Sequence, residues 1–330
     1  MSEAPEPPVR VSEPGIYDAM PERAYHSDPA PEPSLSRSIA RKIIEASPAH
    51  AYAEHPRLGG SVATGPSSGD EDMDVGTAAH ALFLEGSDRV EHIPFESYRT
   101  KDAKEMRDAA LAAGRIPLKT KAYDSTRRVV EALETFRART GLFTHGKPEQ
   151  TLVWQEDDHW ARARVDWLHD DPAGPLLDLK TTGGLATPER WGRQCFEFGA
   201  DLQAAMYPRG ASYLRDGEVP DGMLFVVVET SAPFAIRVFA LDPVAVDVGE
   251  AKAAAARAIW VQCMTATRAA LDAGRPTEQA WPSYPRETEW ILPPPWIVRQ
   301  WESAKAGGYG RAIEDTKFIE RLIEAGQFGG

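Results

Sequence analysis

Two neighbouring apolar runs carry acids placed where acids are costly. RVDW ends near Asp166, and LLDLKTT alternates Asp178 and Lys180 two residues apart. An ionised carboxylate inside a strand is unfavourable unless it is paired or binds a cation. Side chains of a strand alternate, so Asp178 and Lys180 share one face while Leu179 points to the other. A hairpin through DDPAG would bring Asp166 alongside them. A hard cation such as Mg²⁺ takes one or two carboxylates and fills the rest of its shell with waters and phosphate oxygens. A cation of that kind lowers the pKa of a bound water and offsets charge on a phosphate. The residues therefore suit metal-assisted phosphodiester hydrolysis. The expected roles are Asp166 and Asp178 as ligands, Lys180 directed at the attacking water, and the Leu179 backbone carbonyl as a further ligand.

The elements that must position these groups can be read from periodicity. Leu35, Ile39 and Ile43 recur at fours, with Ser36 as N-cap, and predict a helix that ends before Pro48. The polar, glycine-rich GGSVATGPSSGDEDMD reads as a loop. A helix follows from near Gly76 to Gly86, then charged helices near Lys101–Ala113 and Tyr123–Arg139. TLVWQED and WARARVDW flank a turn at Asp157–His159, and with LLDLK they predict an antiparallel meander. Pro188 opens a long helical segment, MLFVVVET and FAIRVFALD read as paired strands, and a helix spans about Val244 to Ala273. A final short helix is expected near Ala312–Ala325. This order predicts a mixed α/β domain with one central sheet flanked by helices. The expected division is an acidic, proline-rich lead-in at 1–14, a main domain at 15–285 and a C-terminal extension at 286–330.

Several further motifs carry a resemblance. Asp166 and the later Asp178-Leu179-Lys180 fit the D…(D/E)xK pattern of the PD-(D/E)xK nuclease superfamily. DLKTT, with Thr181 and Thr182 after the lysine, resembles the phage-type branch related to exonuclease VIII. Gln203 and Tyr207 in QAAMY are similar to the Q-x₃-Y helix motif of exonuclease-like branches, and GTAAH resembles a G-x-x-x-H helix whose histidine binds metal. The openings GIYDAMPERAYHSDP and LSRSIARKIIEASPAHAYA and the late WPSYP also look like this group. The resemblance implies a restriction-endonuclease-like core and DNA cleavage dependent on Mg²⁺ or Mn²⁺. It adds His80 as a third ligand, Glu149 as a fourth, and Gln203, Tyr207, Thr181 and Thr182 as DNA-contacting or supporting groups. It further implies 5′-to-3′ digestion of linear duplex DNA, a homo-oligomer, and delivery of single strands to an annealing recombinase. Pro208, directly after Tyr207, removes a helical hydrogen bond and predicts a kink that would move the tyrosine.

Simpler readings exist for each residue alone. Asp166 could pair with Arg162 or Arg164, Lys180 could protect an edge strand, and His80 could bond a carbonyl. Their conjunction favours the nuclease. The alternatives on the same fold are an endonuclease or nickase, and a catalytically idle DNA-binding or assembly protein. GPSSG fits G-x-S-x-G but lies in a polar loop, not between a strand and a helix. The chain lacks a phosphate-binding G-x-x-x-x-G-K-[ST] loop, and two cysteines rule out a four-cysteine cluster. A formal charge of −13 argues against a uniformly basic surface, although residues 99–128 hold nine Lys/Arg against four Asp/Glu. No run approaches the roughly 18 to 20 apolar residues of a membrane span. A cytoplasmic protein without a membrane segment is expected.

Overall fold

The computed structural model describes residues 9–59 and 71–304. The GPSSG motif, the expected helix near Ala312–Ala325 and the first eight residues of the lead-in lie outside them. The chain divides into two compact units, Met1–Tyr284 and Pro285–Gly330. In the second unit, α10 is Pro295–Ala304.

The first unit begins with β1 (Gly15–Tyr17), α1 (Glu22–His26), β2 (Ser34–Ser36), α2 (Arg37–Glu45), α3 (Pro48–Glu54) and α4 (Glu71–Leu84). A short parallel pair follows, β3 (Val90–Ile93) and β4 (Ile116–Lys119), with α5 (Lys101–Ala112) between them and α6 (Thr120–Thr140) after. Then come β5 (Gly146–Glu156), β6 (His159–His169), β7 (Leu176–Thr182), α7 (Pro188–Glu197), α8 (Ala200–Leu214), β8 (Met223–Glu229), β9 (Ile236–Ala240) and α9 (Pro243–Asp272).

The main sheet has seven strands in the order β1-β5-β6-β7-β8-β9, with β2 added beside β6. The meander β5-β6-β7 is antiparallel, as expected. β8 runs parallel to β7, a pairing that needs a crossover, and α7 and α8 supply it. β7 is thus an interior strand, which removes the edge-protection reading of Lys180. Strand alternation splits the core across the two faces of the sheet. Leu176, Phe225 and Val227 pack with Ile39, Leu202 and Trp260 on one side. Leu177, Leu179, Val226 and Val228 pack with Phe83, Val129 and Leu133 on the other. This is the mixed, helix-flanked sheet of a restriction-endonuclease-like fold.

Two expectations need correction. α4 starts five residues before Gly76, inside the run read as loop. The long segment after Pro188 is two helices, because Gly199 takes a left-handed backbone (φ 70°) between them. Pro208 lies inside α8, which continues past it to Leu214. Among the described residues, no helix is long and apolar enough to cross a membrane.

Candidate active site

β6 is paired along one side by β5 and shares its other side between two partners. β2 takes the beginning, with Ser34 opposite Trp160 and Ser36 opposite Arg162. β7 takes the end, with Trp167 opposite Leu177. One step further in that antiparallel register, Asp166 faces Asp178. There a carboxylate takes the place of a backbone acceptor, because the Leu179 N–H donates to Asp166 Oδ2 at 2.8 Å. The acids therefore sit where the sheet opens between β2 and β7.

α4 closes this opening from the second face. A Cβ on Gly76 would run into the Thr181 hydroxyl, so glycine is what lets the helix lie against β7 at this level. His80 follows about one turn later. Its Nε2 lies 3.0 Å from Asp166 Oδ2 and its Nδ1 lies 3.4 Å from Glu149 Oε1. In the β5–β6 ladder Pro148 faces Trp167 and Gln150 faces Val165, so Glu149 faces Asp166 but is left out of the pairing. Glu149 has a left-handed backbone (φ 53°), a conformation disfavoured for residues other than glycine and often met at functional sites. Arg164 forms an ion pair with the Glu149 carboxylate and donates to the Met20 carbonyl at 2.8 Å.

Ligand atoms of His80, Glu149 and Asp166 all lie within 4.8 Å of one another. Like charges directly opposite each other on a ladder repel. Burial and the Asp166 charge accordingly raise the Glu149 carboxyl above its ordinary range. Burial pulls the His80 imidazole down, but Asp166 and Glu149 outweigh it and lift it to about 9. Two carboxylates and an imidazole that hold a proton between them can instead hold a divalent cation, with the histidine neutral. Oxygen donors and one nitrogen suit a divalent cation.

Asp178 stands beside this triad, with its side chain 1% exposed. Its Oδ1 accepts from Gln203 Nε2 at 2.5 Å, and its Oδ2 lies 2.5 Å from Lys180 Nζ. The lysine contact is an ion pair without hydrogen-bond alignment, so Oδ2 has no hydrogen-bond partner among the described residues. Burial and the Asp166 charge raise the Asp178 carboxyl, against the pull of Lys180. Burial lowers the Lys180 amine, and Asp178 and Asp166 more than restore it. Lys180 keeps 31% of its side chain exposed and so remains open to the cleft. Tyr207 lies one turn after Gln203, is buried, and is raised chiefly by that burial.

The remaining expected residues lie around this group. Thr181 packs against Gly76, and the Thr182 hydroxyl accepts from the Gly184 N–H at 3.1 Å. Leu179 puts its side chain into the core of the second face. Arg162 and Arg164, the simple partners considered for Asp166, bond elsewhere: Arg162 to Asp28 at 3.1 Å and Arg164 to Glu149. Sequence reading missed Arg164 as the anchor of Glu149. It also missed Arg37, which begins α2 and whose charge is felt by both Lys180 and Tyr207. The alternation of Arg162, Arg164 and Asp166 placed all three on one face and was the available signal for the first. Arg37 had none, because β2 was not foreseen.

Acids from adjacent strands of an opened sheet, with a lysine two residues beyond the second, are what the PD-(D/E)xK nucleases share, and they set the class of this protein. Residues 36–275 match the family described as a PDDEXK-like domain of unknown function, DUF3799, and the chain belongs to it. No curated protein matches the chain. A solved structure from Eubacterium rectale, named as a candidate exonuclease, is similar over 84% of this chain and 95% of its own, with 9% identity and a TM-score of 0.47.

Proposed function

We propose that this protein is a Mg²⁺- or Mn²⁺-dependent deoxyribonuclease that digests linear duplex DNA from its ends. The observation that carries the reading is the convergence of His80, Glu149 and Asp166 within 4.8 Å, beside the Asp178–Lys180 pair. When bound, a divalent cation would supply an activated water and offset charge on the scissile phosphate. His80, Glu149 and Asp166 would hold it, with Asp178 and the Leu179 carbonyl completing the protein's share of ligands. Lys180, anchored on Asp178, holds a positive charge at the cleft and orients the attacking water. Gln203 fixes the Asp178 carboxylate through Oδ1, and Tyr207 braces the same helix face.

The resemblance to exonuclease VIII carries the finer part. It includes 5′-to-3′ polarity, a homo-oligomer, a cytoplasmic setting, and delivery of single strands to an annealing recombinase. The catalytic domain is assigned to 15–285, with 1–14 a lead-in and 286–330 an extension.

End-labelled linear duplex and closed circular DNA, incubated with Mg²⁺, Mn²⁺ or EDTA, test this with wild type beside Lys180→Ala. Loss of the linear substrate alone, in metal alone and in wild type alone, is the expected result. Cutting of the circle would replace the exonuclease with an endonuclease, and intact DNA throughout would leave a binding protein.

A further inference from the structure

The core-facing stripe of α7 runs past the end of the core. Trp191 and Cys195, four residues apart, are 5% and 2% exposed. Phe198 is the next position of the same stripe, three residues after Cys195. Yet it is 52% exposed. Phe198 caps the C-terminal end of α7, where the stripe leaves the core.

The chain on either side of Phe198 leads to the candidate site. The charges of Asp178 and Lys180 both reach the Cys195 thiol, one turn before Phe198. The Phe198 carbonyl accepts a hydrogen bond from Arg37, whose own charge reaches Lys180. Immediately after Phe198, Gly199 turns the chain into α8, where Gln203 grips Asp178. The side chain of Arg41 lies against Gly199: a Cβ placed there would come within 3.0 Å of the Arg41 Cδ. An exposed apolar ring is thus carried on a segment that Arg37 holds and Arg41 lies against, directly before the helix whose Gln203 grips the buried Asp178. Flat and apolar at the centre, cationic at the rim, this pattern fits one nucleotide, with the base on the ring and phosphates on the cations.

We infer that Phe198 is a stacking platform for a nucleobase next to the scissile phosphate, and so a positioning contact for the strand being cut. The inference rests on the nuclease reading for its substrate. Arg37 sets the height of the platform by holding its carbonyl. A sequence-tolerant contact is what it would provide, because every base offers a π-face.

The test uses DNA carrying 5-iodouracil at each of the last four positions of one strand, bound in Ca²⁺ and irradiated. Wild type, Phe198→Trp, Phe198→Leu and Phe198→Ala are compared, with melting curves to confirm folding. Cross-links should fall on the peptide containing Phe198 in wild type, persist in Phe198→Trp and vanish in Phe198→Leu. Binding should weaken on the order of tenfold in the leucine and alanine variants alike. On cleavable DNA the loss should appear in KM more than in kcat. Cross-links mapping elsewhere, or Phe198→Leu binding as tightly as wild type, would overturn the platform even if wild type cuts linear DNA. Cross-linking at Phe198 without cleavage in any metal would keep the platform and overturn the nuclease.

Discussion

At the scale of residues, the site is defined by which acids are satisfied and which are not. Asp178 has one oxygen on Gln203 and the other against Lys180. With the lysine removed, Gln203 still holds the Asp178 carboxyl, and the truncated side chain was itself part-exposed. Lys180→Ala is therefore expected to melt within a few degrees of wild type while the cleavage rate falls roughly 10²- to 10⁴-fold, read from single-turnover decay of labelled duplex. The triad makes a separate prediction. A cation at about 100 times its dissociation constant should stabilise the protein by about 2.7 kcal/mol. In a thermal melt that gain should disappear in EDTA and in Glu149→Gln. Glu149 shows both the reach and the limit of sequence reading. Only the family resemblance pointed to it as a candidate ligand, and its left-handed backbone needed coordinates, since that leaves no periodic trace.

Among elements, the contact of α4 with β7 positions the histidine, and it depends on one missing side chain. In Gly76→Ala the new methyl must displace Thr181 or push the helix away. Overpacking of this kind costs about 1–3 kcal/mol. It should also cost activity, because His80 rides on the same helix. Adding Thr181→Ala makes room, so the double variant should recover most of both losses, measured by urea unfolding and by nuclease rate. The strands and long helices were legible because alternation and 3.6-residue periods persist through them. β5, β6, β7, β8 and α9 stand essentially where the pattern placed them. The three-residue β2 is too short to show a period, and it is the element that frames the opening in the sheet. The break at Gly199 was hidden because glycine is tolerated within a helix, and only the fold shows it in a left-handed turn.

Across the whole molecule, a buried polar knot ties the N-terminal segment to the sheet. Asp28 accepts from the Ser34 N–H at 3.0 Å and pairs with Arg162 at 3.1 Å, and His55 is fully buried beside it. The His55 Nε2–H donates to the Ser34 carbonyl at 3.2 Å, while Nδ1 accepts from the Arg57 N–H at 3.2 Å, so the neutral ring is fully satisfied. Burial raises the Asp28 carboxyl, but Arg162 and His55 outweigh it and hold it at about 2, below its ordinary 3.8. A depressed acid contributes stability above its unfolded value and loses it as pH falls toward the folded one. Asp28 should thus lose about 2 kcal/mol between roughly pH 4 and 2. Burial depresses the His55 ring below 6.5, so its own penalty begins as pH drops through that value. Urea midpoints should accordingly fall in two stages on acidification. Asp28→Asn should remove the lower stage and cost roughly 3–5 kcal/mol at neutral pH by stranding Arg162. All of the site residues and this knot belong to the unit ending at Tyr284. A chain cut after that residue should unfold cooperatively near the wild-type temperature and keep its nuclease rate, whereas loss of folding would show that the later residues are required.

The parallel pairing of β7 with β8 also has a consequence in time. Thr182 ends one strand and Met223 begins the other, so a ribosome making about 5–20 residues per second takes several seconds to supply the missing neighbour. Until then the strand bearing Asp178 and Lys180 lacks a flank, and Gln203 has only just been made. The candidate site is thus incomplete until β8 has been made. Ribosome-arrested chains ending before Met223 should leave the Lys180 region open to protease, and chains extended well past Glu229 should protect it.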